Sequence, residues 1–579
     1  MQKMVGVGLM LLVFSTAYAT SIPSVQPPFR KSAGGVLSLN NAHSKANALM
    51  IKLAAPIAKK TLGKAKFGRL QIGFSRPVPK LYANSLTKTM VWQTTSDGRA
   101  IGSVIVQSPD ASALRAKVML LGLEGDVDVK FFSQSNQQKI LSRARPRQLP
   151  RSTEVVKGTV SKGKPQLNGA VATQTFWTPV MDGENLGIEI TLSKGENIDN
   201  VEIYVTQVSH LTQSPAKSLR NIGASQACEI DVACELGNGV GEVIRNATAK
   251  MVFTDSTGTF LCTGTLLNDR EQDEFTPYFL SANHCLATQA TASTLNTFWF
   301  FERANCNGAN PTSVTQLTGG AELVSTGRDS DYTLLRLLEA QPNGASFSGS
   351  DTQFETALTA VHHPSGDLKK VSQGRLIENR VGVPTAFAGI ELQSTFVVSW
   401  ATGTTEGGSS GSGIFIDNAR LVGTLSGGAA SCTNPTGNDF YGRFTDTFND
   451  IERFIFTVAD LLANQTTTVA TDATREFKVI VGANTPQLTV TIDSQSGDAD
   501  LFVRRGSRAS VTSTQFNDCS SFLATNIDTC TIDSPTPGTY YVTVHGFLAS
   551  TFQLTSNVES SVEFFKPTWK KILPITPGI

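Results

Sequence analysis

The sequence carries no surplus of charge. Its 49 lysines and arginines are matched by 48 aspartates and glutamates, so no large one-signed field exists to recruit nucleic acid or an anionic membrane surface. Long apolar runs are missing beyond the amino terminus. No later stretch reaches the roughly 18–20 uninterrupted apolar residues that a spanning helix needs, which excludes an anchor of that kind. Metal-type cysteines are missing too: there is no Cys-x-x-Cys, and no cysteine has the Cys/His spacing of a zinc site. Partner choice must come from a local site, and no nucleic acid, membrane, cofactor or metal is expected.

What is present begins with Met1-Gln2-Lys3, an apolar run from Met4 to Phe14 and a small-residue end at Ala17-Tyr18-Ala19. That layout is a secretory signal peptide, residues 1–19, cleaved near Ala19. A secreted, extracellular product is expected, with the periplasm as a stage before export. All eight cysteines follow the signal: Cys228, Cys234, Cys262, Cys285, Cys306, Cys432, Cys519 and Cys530. In an exported chain their default state is four disulfides.

A chain of 579 residues is too long for one core and suggests several folded units. Residues 20–220 hold no cysteine and alternate in places, as in Val201-Glu202-Ile203-Tyr204-Val205, which indicates half-buried strands. With a basic, proline-bearing stretch from Arg143 to Arg151 that reads as an exposed linker, this part is expected to be a removable β-rich prosegment. In residues 221–463 short β-type runs alternate closely with turn residues, the pattern of barrels or sandwiches. Residues 464–474, rich in Thr and Ala, read as a linker. Residues 475–560, with Leu488-Thr489-Val490-Thr491-Ile492 and Tyr540-Tyr541-Val542-Thr543-Val544, read as a separate β-sandwich. The tail, residues 561–579, suggests no role.

Three local motifs carry chemistry. Serine-based hydrolysis needs a base to take the serine proton, a carboxylate to orient that base, and backbone N–H groups for the oxyanion. Tyr278-Phe279-Leu280-Ser281-Ala282-Asn283-His284-Cys285 is an apolar strand ending in a histidine, the expected base His284. Ser330-Asp331-Tyr332-Thr333-Leu334-Leu335 places an acid at the mouth of an apolar strand, where it needs a partner such as an imidazole N–H. Gly407-Gly408-Ser409-Ser410-Gly411-Ser412-Gly413 allows a sharp turn with two N–H groups aimed at one oxygen. Ser410 is the expected nucleophile, with the N–H groups of Gly408 and Ser410 as the oxyanion hole. Singly, a Gly/Ser loop is usually a turn and a histidine usually a surface or core residue. Their conjunction in the order His, Asp, Ser, followed by the strand Leu421-Val422-Gly423-Thr424-Leu425, is what signifies.

Over roughly Cys228 to Ile455 the sequence resembles trypsin-like proteases, and among them the bacterial lysyl endopeptidases. The resemblance rests on Cys-Thr-Gly-Thr-Leu-Leu at 262–267, Ser-Ala-Asn-His-Cys at 281–285, Ser-Asp-Tyr-Thr-Leu-Leu at 330–335, Gly-Ser-Ser-Gly-Ser at 408–412 and Asp-Phe-Tyr-Gly-Arg at 439–443. It implies an all-β fold: a chymotrypsin-like double β-barrel, with the β-rich prosegment and the C-terminal sandwich on either side. It also implies His284 as general base, Asp331 as its orienter, Ser410 as nucleophile and Asp439 as the acid at the floor of the primary specificity pocket. The bridges it implies are Cys262–Cys285, Cys228–Cys432 and Cys234–Cys306. Ser409 departs from the trypsin pattern, which has an aspartate there to capture the freed N-terminus, so another activation logic is expected. Ser426 stands where some lysyl endopeptidases carry a histidine, so Lys and Arg are both taken as acceptable.

The function so implied is a secreted serine endopeptidase, made as a zymogen, that cuts proteins and peptides after basic residues; self-cleavage after Arg220 or Lys217 would release the prosegment. The alternative is a binding or adhesion protein on a protease scaffold, working through its C-terminal sandwich. An acidic-substrate specificity is disfavoured by Asp439, which would repel it. Rival residues are Asp329 for the triad acid, Asp417 or Glu406 for the pocket, and the tandem His362-His363, whose adjacent side chains cannot face one ion from a strand. The segment with Ser496-Gly497-Asp498-Ala499-Asp500 and Pro537-Gly538-Thr539-Tyr540-Tyr541-Val542 resembles the bacterial pre-peptidase C-terminal domain. Cys519–Cys530 is expected as its own bridge, and Asp498 and Asp500 have ligand types that suit calcium no better than they suit a turn.

Overall fold

The computed structural model describes residues 21–22, 24–27, 48–56, 68–79, 84–121, 127–133, 136–144, 151–152, 173–215, 222–237, 239–269, 275–311, 314–387, 389–416, 419–455, 459–460, 465–483, 485–511, 514–523 and 526–558. The signal peptide, the cleavage positions Lys217 and Arg220, the rival acid Asp417 and the tail 561–579 lie outside the described residues. Contacts divide the chain into two compact units. The first takes in residues 1–149, 173–270 and 277–452, so most of the prosegment and the enzyme share it; the second takes in 150–172, 271–276 and 453–579.

Within the first unit, the N-terminal part expected to be a prosegment forms two facing sheets. One runs Leu49–Lys52, Ala100–Gln107, Asn185–Leu192, Val127–Ser133, Asn136–Ala144; the other contains Leu70–Pro77, Glu202–Leu211, Ala113–Leu121 and Thr173–Trp177. Alternating residues of both sheets, among them Val104, Val106, Leu114, Val118, Ile188, Ile190, Ile203 and Val205, bury one shared core. Arg143, expected in an exposed linker, instead lies in the strand Asn136–Ala144 opposite Lys130. Local basic composition did not reveal the partner strand that satisfies its backbone.

The first of the enzyme's two barrels begins where this second sheet continues. Leu70–Pro77 pairs on one side with Glu202–Leu211 and on the other with Thr259–Leu267, in register Gly73↔Thr259 and Gln71↔Phe260. Thr259–Leu267 then pairs with Thr248–Thr254 and Tyr278–Ser281, and Tyr278–Ser281 with Tyr332–Leu337. These apolar, β-branched runs are almost wholly buried.

A second barrel closes on itself. Its strands are Lys370–Arg380, Ala357–His362, Gly413–Ile416, Arg420–Gly428, Asp439–Arg443 and Thr395–Thr402, and the last pairs back to the first. Leu358, Ala360, Phe396, Val398, Ile414, Val422, Leu425 and Tyr441 fill it. Helix Phe444–Ile455 follows, burying Phe444, Phe448 and Ile451 along one face at helical spacing.

The second unit is a sandwich dominated by two long antiparallel strands, Gln487–Arg505 and Gly538–Ser556, joined by Thr474–Val481 and Ile527–Asp533. Val479, Leu488, Val490, Ile492, Leu501, Val542, Val544 and Phe552 form its core. The segment read as a linker is corrected here: Gln465–Val469 is a strand, paired with Gly538–Ser556 from Gln465↔Leu554 to Val469↔Ser550. A run of threonines looks like a polar spacer by composition, yet threonine is a good strand former once a partner edge is offered.

The disulfide Cys519–Cys530 closes an 11-residue separation in this sandwich. Produced alone as residues 459–558, the sandwich should unfold cooperatively in urea. Replacing both cysteines with alanine should lower its unfolding free energy by about 2–3 kcal/mol, the loop-closure value for so short a loop. An unchanged urea midpoint would show that the bridge is idle.

Candidate active site

The residues of the three motifs converge between the two barrels. His284 follows the end of Tyr278–Ser281, and Cys262–Cys285 ties its neighbour to the adjacent strand. Oδ2 of Asp331 lies 2.7 Å from Nδ1 of His284, and Oδ1 accepts from the His284 backbone N–H at 2.9 Å. Bonded this way, Nδ1 keeps its proton and Nε2 is left as the acceptor. Asp331 is 1 % exposed and adopts φ +49°, a left-handed conformation that aspartate tolerates better than most residues, just before Tyr332–Leu337. Asp329, the rival acid, is exposed in the turn before Asp331, and its backbone carbonyl accepts the Gln393 N–H at 3.0 Å.

Ser410 faces the same point from the second barrel. A β-carbon placed on Gly68 would lie 2.6 Å from Ser410 Oγ and 3.4 Å from His284 Nε2, so both atoms border one small space. The Ser410 loop owes its shape to glycines. Gly408 has φ +98° and Gly411 φ +81°; at Gly411 a side chain would strike Ser281 Oγ and the Thr263 carbonyl. Thr263 holds the loop from the first barrel: its N–H donates to the Ser410 carbonyl at 2.8 Å, and its hydroxyl to the Gly408 carbonyl at 2.9 Å. The motif Cys262-Thr263-Gly264 thus serves both halves of the site.

Gly68, from the N-terminal domain, occupies the space. At φ +76°, it places its carbonyl oxygen 3.4 Å from the N–H of Gly408. The next residue, Arg69, pairs with Asp255 at 2.8 Å, donates to the Cys285 carbonyl and stacks over Phe260. Gly68 was not legible in the sequence. It is one of 49 glycines, and nothing around it marks a partner so far along the chain.

Asp439 is wholly buried at the start of Asp439–Arg443. It accepts from Trp400 Nε1 at 2.7 Å, Thr405 Oγ1 at 2.7 Å and the Ala430 N–H at 3.3 Å. Burial pushes its carboxyl up to about 6, against the pull of these hydrogen bonds. A side chain at Gly428 would collide with Asp439 Oδ1, so glycine there leaves the carboxylate its room. Glu406, the described rival, instead bonds the Gln226 N–H and Ser365 Oγ.

His362 and His363 are both fully buried. Nδ1 of His362 lies 2.8 Å from Ser409 Oγ and Nε2 lies 2.9 Å from Ser372 Oγ, while Nδ1 of His363 meets the Asp367 carbonyl at 3.0 Å. Burial, then the charge of Lys370, pushes His362 down to about 3, so it is a neutral strut beneath the Ser410 loop. Cys228–Cys432 and Cys234–Cys306 close elsewhere in the enzyme. Among the described residues the one metal-like grouping is Cys262, His284 and Cys285, whose two sulfurs are bonded to each other. Asp500 meets His545 at 3.4 Å in the sandwich. No described helix is long and apolar enough to cross a membrane.

Three family descriptions match the chain: the lysyl endopeptidase N-terminal domain at residues 47–212, the lysyl endopeptidase C-terminal domain at 222–442, and the bacterial pre-peptidase C-terminal domain at 476–546. A lysyl endopeptidase of Pseudomonas aeruginosa is 33% identical over 421 residues, spanning 69% of this chain and 83% of that protein. Secreted RxLR effector protein 73 of Plasmopara viticola is 27% identical over 205 residues, 34% of this chain and 48% of that protein. Among solved structures, the HtrA-type protease AlgW with tripeptide is 14% identical, covering 40% of this chain and 69% of its own, at a TM-score of 0.28. The thermostable serine protease AL20 from an extremophilic microorganism is 18% identical, covering 36% and 97%, at 0.25. The first of these relatives, with the two domain matches, settles the assignment: the chain belongs to the lysyl endopeptidase family and is a trypsin-like serine endopeptidase.

Proposed function

We propose that the protein is a secreted zymogen that, once matured, hydrolyses peptide bonds after lysine and arginine, with His284, Asp331 and Ser410 as its triad. The observation that carries this reading is the convergence of Ser410 Oγ and His284 Nε2 on the space beside the Gly408 N–H, with Asp331 behind the imidazole. His284 Nε2 takes the Ser410 proton as Oγ attacks the scissile carbonyl, and Asp331 stabilises the imidazolium. The N–H groups of Gly408 and Ser410 receive the oxyanion, and His284 returns the proton to the leaving amine.

A basic side chain that enters a buried pocket loses its hydration, so it needs a carboxylate in exchange. Asp439 supplies one within the second barrel, and the lysyl endopeptidase relative is named for lysine. Latency in the precursor follows from Gly68, which offers the oxyanion donor a carbonyl and the pocket no side chain. Export rests on the signal-type amino terminus.

Ser410→Ala should cut turnover of a lysyl peptide by about 10⁴–10⁶-fold while the circular dichroism spectrum stays that of the wild type. Retained activity in a clean preparation would sink the triad. The pocket has its own signature in pH. A cation needs the ionised carboxylate, and the Asp439 carboxyl sits near 6, so competitive inhibition by n-butylamine should be flat above that value and weaken about tenfold per pH unit below it. Asp439→Asn should weaken inhibition throughout and flatten the profile; an identical profile in the variant would place the cation elsewhere. Latency is tested in an uncleavable precursor carrying Lys217→Gln and Arg220→Gln. Adding Gly68→Ala, whose β-carbon has no room beside Ser410 Oγ, should speed labelling by a fluorophosphonate at least tenfold over the parent, by an order-of-magnitude steric argument. Equal labelling rates would mean that Gly68 does not guard the serine.

A further inference from the structure

With Ser409 in the place of the trypsin aspartate, something else must hold the nucleophile loop. Asp367 is fully buried just after the 3₁₀ turn Pro364–Gly366. Its carboxylate accepts the Gly223 N–H at 3.0 and 3.1 Å, the Ser225 N–H at 3.1 Å, the Ser225 hydroxyl at 2.6 Å and the Leu368 N–H at 2.7 Å. Those bonds engage nearly all the lone pairs of a carboxylate, and most of the donors come from the segment that will open the mature enzyme. The next residue of that segment, Gln226, donates its N–H to Glu406 at 2.7 Å.

Both acids lead straight to the oxyanion donor. The turn that ends in Asp367 donates the Ser365 N–H to the Gly407 carbonyl at 2.8 Å. It also presses on Gly408, where a β-carbon would lie 2.9 Å from the His363 carbonyl and 3.2 Å from the Gly366 nitrogen. From the other side, Glu406 accepts the Ser365 hydroxyl at 2.5 Å, and its own carbonyl accepts the Ser409 N–H at 2.9 Å. Gly407 and Gly408 are thus held between two carboxylates that share one amino-terminal arm.

We propose that Asp367 and Glu406 are positioning residues: they clamp residues 223–226 and through that arm aim the Gly408 N–H at the oxyanion. The arm is seated in the uncut chain, so the donor is built before cleavage and maturation has only to remove Gly68. The proposal rests on the serine-protease reading of the site, and the experiment separates the two.

The mature forms of wild type, Asp367→Asn, Glu406→Gln and Ser225→Ala are prepared by processing tagged precursors in trans, with the amino terminus checked by sequencing. Four quantities are measured: kcat and KM on a lysyl peptide, inhibition by a lysyl peptide aldehyde, and inhibition by n-butylamine. The aldehyde forms an oxyanion on Ser410 and so reads the donor; the amine reads the pocket alone. For Asp367→Asn, kcat should fall about 10–100-fold with KM little changed, since loss of a whole oxyanion donor costs about 10²–10³-fold. Aldehyde affinity should fall by the same factor and amine affinity should stay within about twofold. Glu406→Gln and Ser225→Ala should show smaller losses of the same pattern, and they carry the test if Asp367→Asn does not fold. Wild-type kcat and aldehyde affinity in the variants would overturn the proposal, as would equal losses of aldehyde and amine affinity, which mark a collapsed pocket. Wild-type enzyme that fails to bind the aldehyde would overturn the catalytic reading instead.

Discussion

One strand pairing governs the first unit. Leu70–Pro77 is hydrogen-bonded to the prosegment on one edge and to Thr259–Leu267 on the other, so the register of that strand fixes where Gly68 and Arg69 fall. Because a strand's side chains alternate with a period of two, a slip of one residue would turn its whole apolar set the wrong way. Ile72 and Leu211 of the prosegment pack with Val252, Leu261 and Phe298 of the enzyme in a single cluster, which holds the register. The position of Gly68 beside Ser410 and His284 is therefore a consequence of core packing some distance away.

The Ser410 loop shows the same economy. Its backbone enters left-handed conformations at Gly408 and Gly411, and each is set against a fixed neighbour, the His363 carbonyl for one and Thr263 with Ser281 for the other. Glycine enters such conformations without strain, so the surroundings serve to select one of the many open to it. Thr263, the buried histidine strut His362 and the turn at Pro364–Gly366 supply that surround.

What could be read from the sequence was what is local. Ser-Ala-Asn-His-Cys, Ser-Asp-Tyr and Gly-Ser-Ser-Gly each carry strand, turn and chemistry within a few residues, so the residues proposed for the triad, and the all-β architecture, stood out. Gly68 and Asp367 did not, because each acts on a partner distant in sequence: Gly68 on Gly408, Asp367 on Gly223 and Ser225. A glycine before a strand and an aspartate after a Pro-Ser-Gly turn look ordinary without those partners. The Thr-rich segment failed differently. Gln465–Val469 has the composition of a spacer and the propensity of a strand, and only the edge of Gly538–Ser556 decides between them.

Arg115 of the prosegment is wholly buried against the enzyme, with its guanidinium over Trp177 and directed at the Val252 and Thr294 carbonyls. Burial pulls it down to about 9, a measure of how unwelcome a cation is there, so this contact binds more weakly than its apolar area implies. While the chain is whole that weakness is harmless, since a tethered surface meets its partner at an effective concentration on the order of millimolar. If the proposed cut falls between Pro215 and Ile222, the two parts become separate molecules, and in the proposed extracellular setting their concentration is whatever dilution leaves. The same contact that is saturated before that cut can then be lost by spreading, so the proposed activation needs a medium to diffuse into as well as a severed bond.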